Sequence, residues 1–247
     1  MRLISIGETG MTDVMHAYWL EQTEANVPGE NFWLNAGEMS RLAGLRFAKR
    51  RADWRLGRWT AKLSLASCLN LPVDVHSLQD IEIRAAASGA PEVFLFDQRA
   101  PVSLSISHRA GKALCVVGLS RASVGCDLEL VESRDPSFVT EFFTKNEQKL
   151  VERAPADERP VLETLLWSAK ESALKSLRMG LRFDTAFLDG SPADSATRRP
   201  NGTNQEAGWS PLFLRRTDGQ VFHGWWRCAN SMVRTVVFNP CDDVDWN

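Results

Sequence analysis

Trp167-Ser168-Ala169-Lys170-Glu171-Ser172-Ala173-Leu174-Lys175 sets one carboxylate between two ammonium groups in a segment of helical period. On an α-helix Trp167, Glu171 and Lys175 share a face, while Leu162, Leu165, Leu166, Ala169, Ala173 and Leu177 form an apolar stripe elsewhere. The spacing predicts a helix over 159–177, capped by Gly180, with one face for a core and another for something polar. Taken alone, Glu171 and Lys175 are an ordinary solvated i,i+4 pair worth about 0.3 kcal/mol. The rest of the chain decides whether they are more.

Upstream, Val124-Gly125-Cys126-Asp127-Leu128-Glu129-Leu130 reads as a strand with Asp127 and Glu129 on one side and Cys126, Leu128 and Leu130 toward the core. Two carboxylates roughly 6–7 Å apart along a strand repel each other. They call for a cation between them, and a hard ion that keeps water and phosphate ligands describes magnesium better than calcium. The alternative is a solvent-facing acidic edge strand. Asp135-Pro136-Ser137 opens a helix that buries Phe138, Phe142 and Phe143; Asn146 and Glu147 cap another, ended near Pro155. Residues 190–208 read as a loop. Leu212–Arg216, the turn Thr217-Asp218-Gly219-Gln220, Val221–Arg227 and Met232–Phe238 read as an antiparallel meander.

In the first half, residues 1–6 read as a strand, and 17–34 as a segment whose helix Pro28-Gly29 would end. From Glu38 the helical period strengthens, and residues 41–62 carry eight basic side chains against the single acid Asp53. Arg51, Arg55, Arg58 and Lys62 form a stripe bordered by apolar residues, read either as a phosphate-receiving groove or as a solvated basic face. Leu69-Asn70-Leu71-Pro72 closes the helix. Ile81-Glu82-Ile83-Arg84 and Glu92–Phe96 flank a turn at Ser88-Gly89-Ala90-Pro91. In Val102-Ser103-Leu104-Ser105-Ile106-Ser107-His108, alternation separates an apolar face from a hydroxyl face and delivers His108 to the strand end, where it is a turn residue or part of an anion-binding corner.

The 247 residues admit one large domain or two ordinary ones, and no short-period repeat is visible. A net charge of −2 gives no global reason to expect nucleic acid or membrane surfaces as partners. No apolar run is long enough to span a bilayer and residues 1–8 lack a signal-peptide core, which leads to the expectation of a cytoplasmic protein. The five cysteines never form C-x-x-C, against a disulfide framework or zinc site, with Cys241 the least core-like.

Ser105-Ile106-Ser107-His108, Val124-Gly125-Cys126-Asp127-Leu128-Glu129, Phe142-Phe143-Thr144-Lys145-Asn146-Glu147 and Trp167–Lys175, in this order, resemble the 4'-phosphopantetheinyl transferases. The resemblance is to the larger, two-halved class typified by the enzyme that activates surfactin synthetase, and runs from about Arg46 to Phe183. It implies an α+β fold of two pseudo-duplicated halves, residues 1–120 and 121–247, with the active site in the cleft between them. It implies a monomer that transfers the phosphopantetheine arm of coenzyme A to a serine of an apo acyl or peptidyl carrier protein, releasing adenosine 3',5'-bisphosphate. By the same resemblance Asp127, Glu129 and Glu171 hold Mg2+; Lys49, Arg50, Ser107 and His108, with Arg84, contact the coenzyme; Lys175 steadies the pyrophosphate; and Glu171, with Asp127 and Lys175, is catalytic.

One position departs from the pattern. Many members carry Gly-Lys-Pro where this chain has Gly89-Ala90-Pro91, so another cation, such as Arg84, must supply that contact. Elementary chemistry agrees with the reaction class, because a serine hydroxyl must lose its proton to attack and the leaving phosphate gathers charge that a metal and a lysine offset. The competing readings are a carrier- or coenzyme-binding module without catalysis and a metal-dependent nucleotide hydrolase. The carrier, from fatty-acid, polyketide, nonribosomal-peptide or lysine-pathway synthesis, is not written in the sequence.

Overall fold

Strand β1 (Arg2–Ile6) pairs antiparallel with β2 (Met15–Thr23), and β2 lies between β1 and a later strand of the same sheet. The computed structural model describes residues 2–6, 15–119, 123–179, 185–192 and 208–239. The chain divides into two units, Met1–Val124 with Pro240–Asn247, and Gly125–Asn239. The helix expected before Pro28-Gly29 is a correction: Met15–Thr23 is extended. Its aromatic and alternating side chains suit a strand with neighbours on both edges, with Ala17 and Trp19 buried.

In the first unit follow α1 (Ala36–Ala43), α2 (Ala48–Cys68), α3 (Val75–Asp80), β3 (Ile81–Ala85), β4 (Pro91–Leu95), β5 (Gln98–Arg99), β6 (Ser103–Arg109) and β7 (Lys112–Gly118). The main sheet has the order β1-β2-β7-β6, and β3-β4-β5 form a small separate sheet. Helix α2 packs on the main sheet, with Ala61, Leu65, Leu104, Cys115 and Val117 in one core. At Gly57 an added Cβ would meet Ile106 Cγ2 at 3.3 Å, so this turn of α2 lies close on β6. Ser103, Ser105 and Ser107 are all buried, so the hydroxyl face of β6 is no more open than its apolar face.

The second unit holds β8 (Ser123–Leu130, entering it at Gly125), α4 (Pro136–Phe142), α5 (Lys145–Arg153), α6 (Arg159–Ser176), β9 (Leu188–Pro192), β10 (Ser210–Arg216), β11 (Val221–Ala229) and β12 (Met232–Asn239). Its sheet has the order β8-β12-β11-β10-β9. The expected meander is present. The expected loop at 190–208 is corrected at its start, where Gly190-Ser191-Pro192 pairs with Leu212–Leu214 as part of β9; residues 193–207, like the Gly180 cap and Cys241, lie outside the described residues. Helix α6 is fixed to β12 by hydroxyls: Thr235 Oγ1 lies 2.9 Å from Ser168 Oγ and 2.7 Å from Ser172 Oγ. Ala169, Ala173 and Leu174 pack with Leu212, Phe222, Val233 and Val237.

Each unit contains a wholly buried lysine held in the same way. In the second, Thr144 caps α5 and Glu147, at the third helical position, closes a capping box. Glu147 also accepts from Gly190 N at 2.7 Å and lies 2.7 Å from Lys170 Nζ, which donates to Phe142 O and Thr185 O at 2.8 and 3.1 Å. In the first, Asn35 caps α1, and Glu38 closes the box and accepts from Ile83 N at 3.3 Å. Lys62 pairs with Glu38 and donates to Trp33 O and Leu78 O at 3.1 and 2.7 Å. The sequences around the two lysines correspond: Trp59-Thr60-Ala61-Lys62-Leu63-Ser64 and Trp167-Ser168-Ala169-Lys170-Glu171-Ser172.

The remaining cations of the α2 stripe are used similarly. Arg51 donates to Leu45 O and Arg46 O at 2.9 and 3.1 Å, Arg55 to Gly29 O at 3.0 Å and to Pro28 O, and Arg58 lies 3.8 Å from Glu38 over the Trp54 ring. The phosphate-groove reading of Arg51, Arg55, Arg58 and Lys62 is therefore corrected. Only Lys62 is buried and Arg51 stays exposed, but all four side chains are engaged with backbone carbonyls or with the buried Glu38 carboxylate.

Replacing one member of a buried pair strands the other's charge, at a cost of about 3–5 kcal/mol. Lys170→Met is expected to lower unfolding stability by that order in urea titration; a loss below about 1 kcal/mol would show that Glu147 does not depend on it.

Candidate functional site

Gly125 controls how β8 meets α6. A Cβ there would lie 1.8 Å from Ser172 O and 2.6 Å from Ser176 N, so strand and helix touch backbone to backbone. Two residues further along β8, Asp127 meets the last turn of α6. Lys175 Nζ donates to Asp127 Oδ1 at 2.7 Å and to Cys126 O at 3.0 Å. Asp127 is buried, whereas the Lys175 side chain keeps 28% of its surface exposed.

Glu171, one turn before Lys175, is 7% exposed. Burial and then the charge of Asp127, with a smaller push from Glu129, raise its carboxyl to about 7 against the pull of Lys175. Burial works against the Lys175 ammonium, yet Asp127 foremost and also Glu171 hold it above its ordinary range. Glu129 lies beside Arg134, Nη2 to Oε2 4.0 Å, and Arg134 stands over the Phe138 ring. The segment after β8 is tied to α6, as Arg134 N donates to Glu163 Oε2 at 3.1 Å.

The structure thus gathers Asp127, Glu129, Glu171 and Lys175 into one electrostatically coupled group. Lys170, the other ammonium flanking Glu171 in sequence, points away into its pair with Glu147. Trp167 sits in an aromatic cluster, its ring centroid 5.0 Å from that of Phe138 and 5.3 Å from that of Phe142. Among the described residues, no three or more histidine, cysteine, aspartate or glutamate side chains are gathered as a metal ion would require. In kind, the donors do suit a hard divalent cation: they are carboxylates alone, and two of them disfavour ionisation of the third.

In the first unit Lys49 Nζ meets Asp53 at 3.0 Å, and His108 Nε2 lies 3.9 Å from the same carboxylate oxygen. Arg50 is exposed, and Ser107 is buried within β6. Arg84 is committed to its own hairpin, 2.6 Å from Glu82 and 2.5 Å from Asp97 with its guanidinium 4.0 Å over Phe94. Those contacts compete with the coenzyme role expected of it. Sequence reasoning passed over Gly125, whose need is steric and invisible without the helix, and Arg134. It also passed over the pairing of Glu147 with Lys170, for which Thr144-x-x-Glu147 was the available signal.

Residues 123–222 match the family model of the 4'-phosphopantetheinyl transferase superfamily. The chain therefore carries a transferase-superfamily domain over part of its length, and that part includes β8, α6 and all four coupled residues. Among solved structures, a holo-(acyl-carrier-protein) synthase from Bacillus anthracis in complex with CoA (3',5'-ADP) is 22% identical. The match covers 41% of this chain and 92% of that chain, with a TM-score of 0.35. No matching relative was found among curated proteins. Among the described residues no helix is long and apolar enough to cross a membrane.

Two outcomes are expected. Gly125→Ala forces β8 off α6 and lowers the melting temperature sharply, whereas Gly44→Ala, whose added Cβ would come no nearer than 3.5 Å to another atom, leaves it nearly unchanged; equal melting of both variants would refute the contact. Folded Glu171 keeps its proton to about pH 7, whereas an unfolded glutamate releases it near 4.5, so the folded state binds more protons between these values. Stability of the metal-free protein should fall as pH rises through that window, by about 3 kcal/mol from this group. Thermal melts of Glu171→Gln should show a flatter slope than wild type, with the remainder of the same sign from Glu147, which burial also raises.

Proposed function

We propose that the protein is a magnesium-dependent 4'-phosphopantetheinyl transferase of the larger, two-halved class, moving the phosphopantetheine arm of coenzyme A to a serine of an apo acyl or peptidyl carrier protein. The observation that carries this reading is the coupling of Glu171, poised at about 7, to Asp127, Glu129 and Lys175 inside the segment that matches the superfamily. The two-halved architecture, divided near residues 120–124, is supported by the matching lysine anchors and their corresponding sequences. At the position of Glu171 the first unit has Leu63, which leaves the acidic chemistry to the second.

In this reading Asp127, Glu129 and Glu171 would hold Mg2+. The ion supplies charge stabilisation for a pyrophosphate and orients it. The residues themselves account for the remainder. Glu171 is placed to take a proton from a serine hydroxyl; its carboxyl titrates at about 7 in the metal-free protein, and a ligated Mg2+ would lower that value. The Lys175 ammonium, kept charged by Asp127, offsets charge that builds on the departing phosphate oxygen. Asp127 holds Lys175 in place, and in the metal-free protein it also raises the carboxyl of Glu171. Lys49, Arg50, Ser107 and His108 are assigned to the nucleotide end of coenzyme A, with Arg84 less favoured because of its hairpin contacts. The products are the modified carrier and adenosine 3',5'-bisphosphate.

The decisive assay incubates the protein with coenzyme A, Mg2+ and a panel of apo carriers and reads intact mass. The expected result is a phosphopantetheine adduct on one carrier serine, lost in Asp127→Ala and slowed about 100-fold in Lys175→Met. Coenzyme A binding without adduct on any carrier would favour the non-catalytic module, and coenzyme A cleavage without carrier would favour the hydrolase.

A further inference from the structure

Asp53 is the single acid among the eight basic residues of 41–62, and its place in the fold is specific. Both carboxylate oxygens reach Lys49 Nζ, at 3.0 and 3.4 Å, and Oδ2 lies 3.9 Å from His108 Nε2. The two nitrogen-bearing side chains come from different elements, Lys49 from the first turn of α2 and His108 from the end of β6, and Asp53 lies between them. Its side chain is 18% exposed, while those of Lys49 and His108 are 81% and 51% exposed. A lysine so exposed keeps almost all its rotamer freedom unless something holds it, and ordering it costs up to about 2 kcal/mol. The close passage of α2 over β6 at Gly57, one turn beyond Asp53, fixes the distance over which the carboxylate works.

We propose that Asp53 is a positioning residue for nucleotide binding: it gathers Lys49 and His108 so that the two present their N–H donors together to one phosphate of an adenosine bisphosphate group. The inference rests on the reading of Lys49 and His108 as nucleotide contacts and adds the residue that orients them. Asp53 itself touches no phosphate, because like charges exclude it. A carboxylate beside a phosphate site weakens binding by repulsion and strengthens it by ordering the donors. Water and salt screen both effects at this exposed position, and the direct hydrogen bond from Lys49 Nζ to Asp53 at 3.0 Å tips the balance toward ordering.

The test is calorimetric titration of adenosine 3',5'-bisphosphate into the whole protein. Asp53→Asn should weaken binding about five- to tenfold, Asp53→Glu should restore part of it, and the KM for coenzyme A should rise by a similar factor while kcat changes much less. Thermal melting of each variant checks that the fold is retained. Wild-type binding together with equal or tighter binding by Asp53→Asn overturns the inference alone. Wild-type protein that does not bind the bisphosphate overturns the nucleotide reading and this inference with it.

Discussion

The contact of Gly125 with the backbone of Ser172 and Ser176 is the constraint on which the second unit depends. A strand normally keeps a side chain's width from the helix that covers it; here that width is removed at one residue, and Asp127 arrives within hydrogen-bonding distance of Lys175. Burial of this junction has two opposed effects. It disfavours every charge placed there, and it strengthens the interactions among them. Glu171 shows the outcome, with a carboxyl near 7 in a site that also holds a charged lysine.

Around this junction, polar side chains do structural work that an apolar core could not. Ser168 and Ser172 share Thr235, which sets the rotation of α6 on its sheet. Lys170 and Glu147 fix α5 and β9 to the same helix. A fully buried ion pair is a weak source of net stability but costs much to break, so it selects one arrangement over near alternatives. The first unit uses the same solution with Lys62 and Glu38 and has no carboxylate at Leu63.

Much of this was legible in the sequence where periodicity and chemistry agreed. The α6 segment, β8, the helix opened at Asp135 and the closing meander could be placed from apolar spacing, capping residues and Asp218-Gly219, whereas the cap expected at Asn146 and Glu147 lies at Thr144, with both residues inside α5. Asp127, Glu129, Glu171 and Lys175 stood out because charges on otherwise apolar elements need partners. The failures came where tertiary contacts override pattern. Met15–Thr23 is a strand because strands flank it on both edges, and the α2 stripe is engaged because backbone carbonyls and Glu38 lie within its reach. Lys170 and Lys175 look alike in sequence, yet rotation about α6 sends one to Glu147 and the other to Asp127. Arg84 looked available until the hairpin brought Asp97 to it.

The central claim is that Glu171 is raised by its neighbours, Asp127 above all after burial. Carbon-13 NMR titration of the glutamate side-chain carboxyls, with Glu171 assigned by its loss in Glu171→Gln, tests it in the metal-free protein. The account predicts a midpoint for Glu171 at about 7 that moves down toward the ordinary glutamate range in Asp127→Asn. A midpoint near 4.5 in wild type, unchanged by that substitution, would contradict it.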